Sequence, residues 1–327
     1  MIEQLYYHIE TSIDPFHNLA VERYLLEHGP ARSCVLYLWQ NANTVVIGKN
    51  QNCWQECRQK QLEQDGGVMV RRLSGGGAVY HDLGNLNFTF LLDKTDYDVP
   101  RQLDVILQGL QHVGIEAEKS GRNDILAHGR KFSGNAFYER GSRCYHHGTL
   151  MVQVDKEKLG KYLQVSASKL ASKGVVSVQS RVVNLTELQP DLTIPQLQQG
   201  LIAALEGIYG LAARLYPAQW MDMEQIGAYE AQFRSDDWRF GQRIPFTWEL
   251  EHRFTWGGVQ LQCHVAYGKI AQTVIYSDAM DGQLIEQMAA CLQDCPFDSS
   301  AMAQRLGQIG TKPELLEFCQ YMETQNF

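Results

Sequence analysis

The densest group of reactive residues is Arg71-Arg72-Leu73-Ser74-Gly75-Gly76-Gly77-Ala78-Val79-Tyr80-His81-Asp82. Three consecutive glycines leave backbone N–H groups uncovered and let a ligand approach the main chain. The two arginines ahead of them offer charge-assisted donors to phosphate or carboxylate. The run is not a Walker P-loop, because its Lys-Ser/Thr ending is missing, and no G-x-G-x-x-G follows a strand. Standing alone, Gly-Gly-Gly reads first as a tight turn without a ligand. Three more groups follow in order: Ser120-Gly121-Arg122-Asn123-Asp124, Arg130-Lys131-Phe132-Ser133-Gly134-Asn135-Ala136, and His146-His147-Gly148-Thr149-Leu150. A lysine opening a strand can point its ammonium into a cleft, although alone Lys131 is as well a surface lysine. Successive strand residues face opposite sides, so His146 and His147 do not easily chelate one ion, and one of them is read as a packed or hydrogen-bonding histidine.

The elements that must position these residues are short and closely spaced. Residues 2–9 read as a strand, and a helix capped near Asp14-Pro15 follows. SCVLYLW (33–39) and NTVVIGK (43–49) are β-rich runs separated by Gln-Asn-Ala, a hairpin-like pair. Residues 52–64 read as helix, 68–73 and 85–92 as strands, and 102–112 as helix. Strands hold 130–138 and 146–154, with helices at 155–163 and 195–209. Residues 234–248 are polar, contain Gly241 and Pro245, and read as a linker. Beyond it come three strands and helices at about 282–293 and 312–323. The strands succeed one another too closely for regular βαβ units, which predicts an α+β domain with a mixed, mainly antiparallel sheet. The predicted division is 1–240 and 241–327.

The bulk composition excludes several classes. The chain has 327 residues and a net charge of −8, which argues against a general nucleic-acid binder. From Lys119 to Arg181 there are 12 Lys/Arg against 4 Asp/Glu, leaving −16 elsewhere. A basic middle on an acidic chain suggests an anion site or steering toward an acidic partner; the alternative is a solvated charged face. The start, MIEQLYYHIETSIDPF, lacks a secretory signal's basic and apolar regions, and no apolar run approaches a membrane span. A cytoplasmic protein with reduced thiols is expected. Cys53/Cys57 and Cys291/Cys295 share an i, i+4 spacing that would place each pair on one helical face, but nothing completes a metal set, and no structural metal is expected.

Taken in order, RRLSGGGAVYHDLGN, SGRNDIL, KFSGNA, HHGTL, SKGVVSVQSRVVNLTEL and FTWGGVQL resemble the lipoate–protein ligase A family over nearly the whole chain. The resemblance implies a catalytic domain like that of biotin and lipoate ligases, with a small C-terminal accessory domain. It implies activation of lipoate, or octanoate, by Mg-ATP to an acyl-adenylate with pyrophosphate release. The acyl group then passes to a lysine on lipoyl domains of 2-oxoacid dehydrogenases or on glycine-cleavage H protein. By motif position Lys131 is the catalytic lysine. Arg72, Gly77, Ala78, Val79, Tyr80, Asn85, Asn123, Asp124 and Thr149 match the ATP and adenylate contacts, with Asp124 as the Mg²⁺ candidate. Trp39, Ser74, His81 and His147, together with Arg72 and Lys131, match the lipoyl pocket; Trp39 also reads as plain core. Where some relatives carry an arginine two residues past the alanine of KFSGNA, this chain has Tyr138, with Arg140 on the same strand face. No nucleic-acid or membrane partner is implied, and a monomer is expected.

Two other readings compete. The first is an ATP-independent acyltransferase working through a cysteine thioester, for which Cys144 is the nearest thiol. The second is a non-catalytic lipoate binder on the same fold. A biotin ligase is disfavoured, because the GRGRxGR-type loop is absent.

Overall fold

The computed structural model describes residues 1–121, 123–164 and 182–327. Arg122 and residues 172–181 of the SKGVVSVQSRVVNLTEL motif therefore lie outside the described residues. The chain divides into two compact units, one of residues 1–46, 54–72 and 78–239, the other of residues 47–53, 73–77 and 240–327.

In chain order the elements through residue 240 are β1 (Gln4–Ile9), α1 (Pro15–His28), β2 (Ser33–Trp39), β3 (Thr44–Ile47), α2 (Cys53–Glu56), α3 (Gln59–Gln64), β4 (Val68–Arg71), β5 (Val79–His81), β6 (Asn85–Asp93), α4 (Val99–His112), β7 (Glu118–Ser120), β8 (Asp124–Ala127), β9 (Arg130–Arg140), β10 (Arg143–Met151), α5 (Lys156–Tyr162), α6 (Ile194–Tyr209), β11 (Ala213–Leu215), α7 (Met223–Arg234) and α8 (Asp236–Phe240). Eight strands form one sheet in the order β11-β1-β2-β6-β10-β9-β8-β7, and β4-β3-β5 form a second. In the large sheet β1 runs parallel to β2 and β11, and every other pairing is antiparallel. The sheet is thus mixed and mainly antiparallel, as the strand spacing predicted.

The alternation Asn85-Leu86-Asn87-Phe88-Thr89-Phe90 along β6 sorts the two faces of this sheet. Register continues each face into the neighbouring strands. Thr89 lies opposite Tyr37 and His147, Asn87 opposite Trp39 and Thr149, and Phe90 opposite Leu36 and His146. The apolar face, with Leu36, Leu38, Phe88 and Phe90, is fully buried, and each such side chain contributes about 1.5–3 kcal/mol. Helix α4 meets that face through Gln102, bonded to His146, and Gly109 of α4 lies against Leu201 of α6. On the polar face, Thr89 Oγ1 donates to Glu22 of α1 at 2.7 Å. Local signals start the helices: Asp14 caps α1 ahead of Pro15, and Thr193 with Gln196 forms a capping box on α6.

The second unit contains β12 (Trp248–Arg253), β13 (Gly258–Ala266) and β14 (Lys269–Ser277), followed by α9 (Gly282–Cys291), α10 (Ser299–Gly307) and α11 (Pro313–Glu323). The three strands form an antiparallel sheet. Its core includes Phe254, Leu261, Ile275, Met288, Leu306 and Phe318.

Several sequence expectations require correction. The runs at 33–39 and 43–49 are not a hairpin: β2 pairs with β1 and β6, whereas β3 pairs in the other sheet, with β5. The helix expected over 52–64 is two short ones, α2 and α3. Cys53 and Cys57 consequently share no helix, and Cys57 forms a β-bridge with Leu163. Cys291 likewise ends α9, four residues before Cys295. The polar stretch read as linker contains α8. Helices α7 and α10 went unread, although Asp222 and Asp298 cap them.

The glycine run packs within the second unit. Lys49 N donates to the Ser74 carbonyl at 2.9 Å, and Gly76 N donates to the Ala279 carbonyl at 2.9 Å. Gly76 has φ +90°, which favours glycine. A Cβ on Gly75 would lie 2.3 Å from the Ala279 carbonyl oxygen and 2.5 Å from that of Met280, whereas one on Gly77 would meet nothing within 4 Å. Gly75 is therefore required by protein packing, and Gly77 alone leaves open space. Gly75→Ala is expected to cost about 1–3 kcal/mol by overpacking, and Gly77→Ala less than about 0.5 kcal/mol. Denaturant unfolding of the two variants checks this.

Candidate active site

A bulge in β9 aims the key lysine. Asp124 of β8 pairs with Gly134 and Ile125 with Ser133, but Leu126 then pairs with Lys131, so Phe132 is an extra residue in β9. An inserted residue reverses the facing of the strand beyond it. Phe132 is fully buried, and Lys131 joins the face carrying Asp124 and Gly134. There Lys131 Nζ lies 2.6 Å from Asp124 Oδ1, with about a third of each side chain exposed. Gly134 makes room: a Cβ there would sit 3.1 Å from Lys131 Nζ. The strand is anchored on both sides, since Val183 N donates to the Lys131 carbonyl at 2.9 Å and Gly134 N donates to Thr149 Oγ1 at 3.2 Å. Asn135 N donates to the Asn123 carbonyl at 2.8 Å, and Asn123 Nδ2 returns a bond to the Asn135 carbonyl at 3.1 Å. Lys131, Asp124, Asn123 and Thr149 are thereby gathered into one hydrogen-bonded patch.

A second, buried cluster lies on the polar face of the large sheet. Glu22 is 1% exposed and accepts from Thr89 and from His147 Nδ1 at 2.8 Å. Sequence reasoning missed Glu22. The available signal was an acidic residue on α1 whose i−3, i+3 and i+4 neighbours are Leu19, Leu25 and Leu26. Arg72 is also buried; its Nη1 donates to the Val46 carbonyl at 3.3 Å. Burial pushes this guanidinium down to about 10, partly offset by Tyr145 and the Glu22 carboxylate. Trp39 Nε1 donates to Thr89 Oγ1 at 3.2 Å, and its ring meets His81 edge-on at 6.3 Å. Trp39 thus packs as core and also borders the cluster.

The remaining candidates take distinct places. Arg71 bonds the carbonyls of Trp238 and Arg239, so the two arginines ahead of the glycines divide between a backbone clamp and a buried site. Tyr80 donates to Asn43 Oδ1 at 2.9 Å, and Asn85 Nδ2 donates to Asn87 Oδ1 at 3.0 Å. Val79 is strand-paired with Val46, and Ala78 precedes β5. Ser74 and Gly77 belong to the second unit. Arg140 pairs with Glu27 at 2.9 Å, while Tyr138 stacks near Tyr145.

The two adjacent histidines do face opposite sides. His147 meets Glu22, whereas His146 Nε2 faces Asn135 Oδ1 at 2.8 Å and its Nδ1 faces the Gln102 amide at 3.0 Å. The thiol nearest the site is unfit as a nucleophile. Cys144 is fully buried and its Sγ–H donates to the Leu92 carbonyl. Burial, with the Glu139 charge, pushes it up to about 12, leaving negligible thiolate at neutral pH. Among the described residues no group of three or more His, Cys, Asp or Glu side chains could hold a metal ion, and no helix is long and apolar enough to cross a membrane.

Burial pushes both His81 and His146 down to about 3 from the ordinary 6.5. The unfolded chain takes up these two protons below pH 6.5 while the folded chain does not, so stability falls as pH drops toward 3. Each histidine contributes a slope of up to about 1.4 kcal/mol per pH unit. Urea unfolding between pH 7 and 5 is expected to show this loss, and His146→Gln should remove about half of the slope.

The comparisons with known proteins agree with this geometry. Residues 14–206 match the model of the lipoyl protein ligase A/B catalytic domain, and residues 243–320 match that of the bacterial lipoate protein ligase C-terminus. The crystal structure of P. falciparum LipL1 in complex with lipoate is 28% identical, with a TM-score of 0.87, covering 98% of this chain and 99% of that one. A bipartite lipoate protein ligase from Thermoplasma acidophilum, from a structural study of that ligase and its E2 lipoyl domain, is 23% identical, with a TM-score of 0.65 over 76% of this chain and 100% of its own. A lipoate-protein ligase A bound with ATP is also 23% identical, with a TM-score of 0.63 over 74% and 99%. The last two speak for the fold. With two family models matching in order, the chain belongs to the lipoyl protein ligase A/B family.

Proposed function

We propose that the chain is an ATP-dependent lipoate–protein ligase whose residues 1–240 form the catalytic domain and 241–327 the accessory domain. In the first step a carboxylate oxygen of lipoate or octanoate attacks the α-phosphorus of ATP. The bond from that phosphorus to the bridging oxygen breaks, and pyrophosphate leaves. In the second step the amine of an acceptor lysine attacks the acyl carbon, AMP departs, and the amine proton passes to solvent. The archaeal relative's E2 lipoyl domain supports lipoyl domains as acceptors, and glycine-cleavage H protein is proposed beside them.

The observation that carries this reading is the Lys131 ammonium, held by Asp124 at 2.6 Å on a strand bulged to present it. Carboxylate and triphosphate repel each other, and an ammonium shared between them offsets that repulsion most strongly as charge builds in the transition state. Arg72 is assigned the carboxylate end of the lipoyl chain. Trp39, Ser74, His81 and His147 are assigned its pocket. Gly77, Ala78, Val79, Tyr80, Asn85, Asn123 and Thr149 are assigned the adenylate. Asp124 would hold Mg²⁺ by one carboxylate, with phosphate oxygens and water completing the shell, which suits an ion that seldom takes an all-protein cage. When bound, that ion supplies further neutralisation of the phosphates.

The ATP-independent reading would need a reactive thiol, and Cys144 is buried and protonated. Lys131→Ala is expected to lower pyrophosphate release with ATP and lipoate by about 10²–10³-fold, measured on protein shown to be folded; full retention would contradict the reading. Cys144→Ala is expected to retain lipoyl transfer to a lipoyl domain, and a loss confined to transfer would favour the thioester route.

A further inference from the structure

A chain of buried side chains in the first unit fixes where one proton sits. Asn18 Nδ2 donates to Asn41 Oδ1 at 3.0 Å and to the carbonyls of Ser12 and Gln40. With its oxygen used as an acceptor, Asn41 turns Nδ2 toward His81 Nδ1, 3.2 Å away. An amide nitrogen only donates, so His81 Nδ1 accepts. Asn18 and Asn41 are fully buried and His81 is 3% exposed. Burial, with the Arg72 and His147 charges acting in the same direction, pushes this imidazole down to about 3, so the ring carries one proton at neutral pH. That proton is on Nε2. Yet Nε2 is buried and has no hydrogen-bond partner among the described residues. A buried N–H left unmet in a folded protein calls for an occupant.

We propose that His81 is a specificity-determining residue: its Nε2–H is the donor for a sulfur of the lipoyl dithiolane, and Asn41, held by Asn18, is the positioning residue that keeps the proton there. This inference rests on the ligase reading and deepens it. The two acids differ in what they can offer this N–H. Octanoate ends in hydrocarbon and leaves the donor unmet. Lipoate brings two polarisable sulfurs, weak acceptors that can meet it. The edge-on Trp39 ring supplies apolar surface beside the same donor. The enzyme therefore discriminates in favour of lipoate.

The test measures pyrophosphate release by the full chain, with saturating Mg-ATP and either lipoate or octanoate, for wild type, His81→Leu, His81→Gln and Asn41→Leu. The ratio of kcat/KM for the two acids is independent of the folded fraction, because both are assayed on one preparation. His81→Leu is expected to lower the lipoate-to-octanoate ratio about ten-fold. His81→Gln, whose amide nitrogen reaches the Nε2 position, should restore most of it, and Asn41→Leu should give an intermediate value. If a variant is inactive with both acids, ¹⁵N NMR of the wild-type ring decides. An Nε2–H tautomer whose proton shifts with lipoate and not with octanoate supports the proposal. An unchanged ratio in His81→Leu, or an Nδ1–H tautomer, overturns it and leaves the ligase reading standing. A wild type that releases pyrophosphate with neither acid overturns both.

Discussion

Joining a carboxylate to a triphosphate requires a positive charge placed where both anions can reach it, and in this chain the placement depends on one extra residue. Without the bulge at Phe132, the two-residue period of β9 would turn Lys131 away from Asp124. With it, the ammonium and its carboxylate share a face, and Gly134 leaves the space the lysine stem occupies. The cost of the irregularity is met by anchors around it: buried Phe132, the Gly134–Thr149 bond, and the paired backbone and amide bonds between Asn123 and Asn135. Strand bulges recur beside active sites because they re-aim a side chain while the surrounding ladder stays intact.

The rest of the first unit divides labour by sheet face. The apolar face, with Phe88 and Phe90 buried, makes the sheet rigid. The opposite face is unusually polar for a buried surface, with Asn87, Thr89, His147 and Glu22 hydrogen-bonded and Arg72 desolvated among them. Buried polar groups of this kind are costly unless each is satisfied, which restricts their side chains to single orientations. Such a surface is suited to recognition, because a ligand meets groups that are already oriented. The neutral His81, with its proton assigned through Asn18 and Asn41, is one instance.

Much of this was legible before the coordinates. Capping residues and period-two alternation located most elements, and the ordered motifs located Arg72, Asp124, Lys131 and Thr149. Long-range pairing was not legible. β2 is buried on both faces, so its residues carry no alternation to tell a hairpin with β3 from insertion between β1 and β6. Nor was the bulge, since an extra residue in a strand leaves no compositional trace. The glycine run misled in part: Gly75 answers to the carbonyls of residues 279–280, two hundred residues away in sequence. Glu22 was hidden by its residue type, because a glutamate on a helix ordinarily faces water.

The most direct measurement of the central claim is the intact mass of a lipoyl domain after incubation with the protein, lipoate, Mg²⁺ and ATP, against the same mixture without ATP. The account predicts a single lipoyl mass increment on the domain's acceptor lysine in the complete mixture only. An unmodified domain in the complete mixture, or equal modification without ATP, would contradict it.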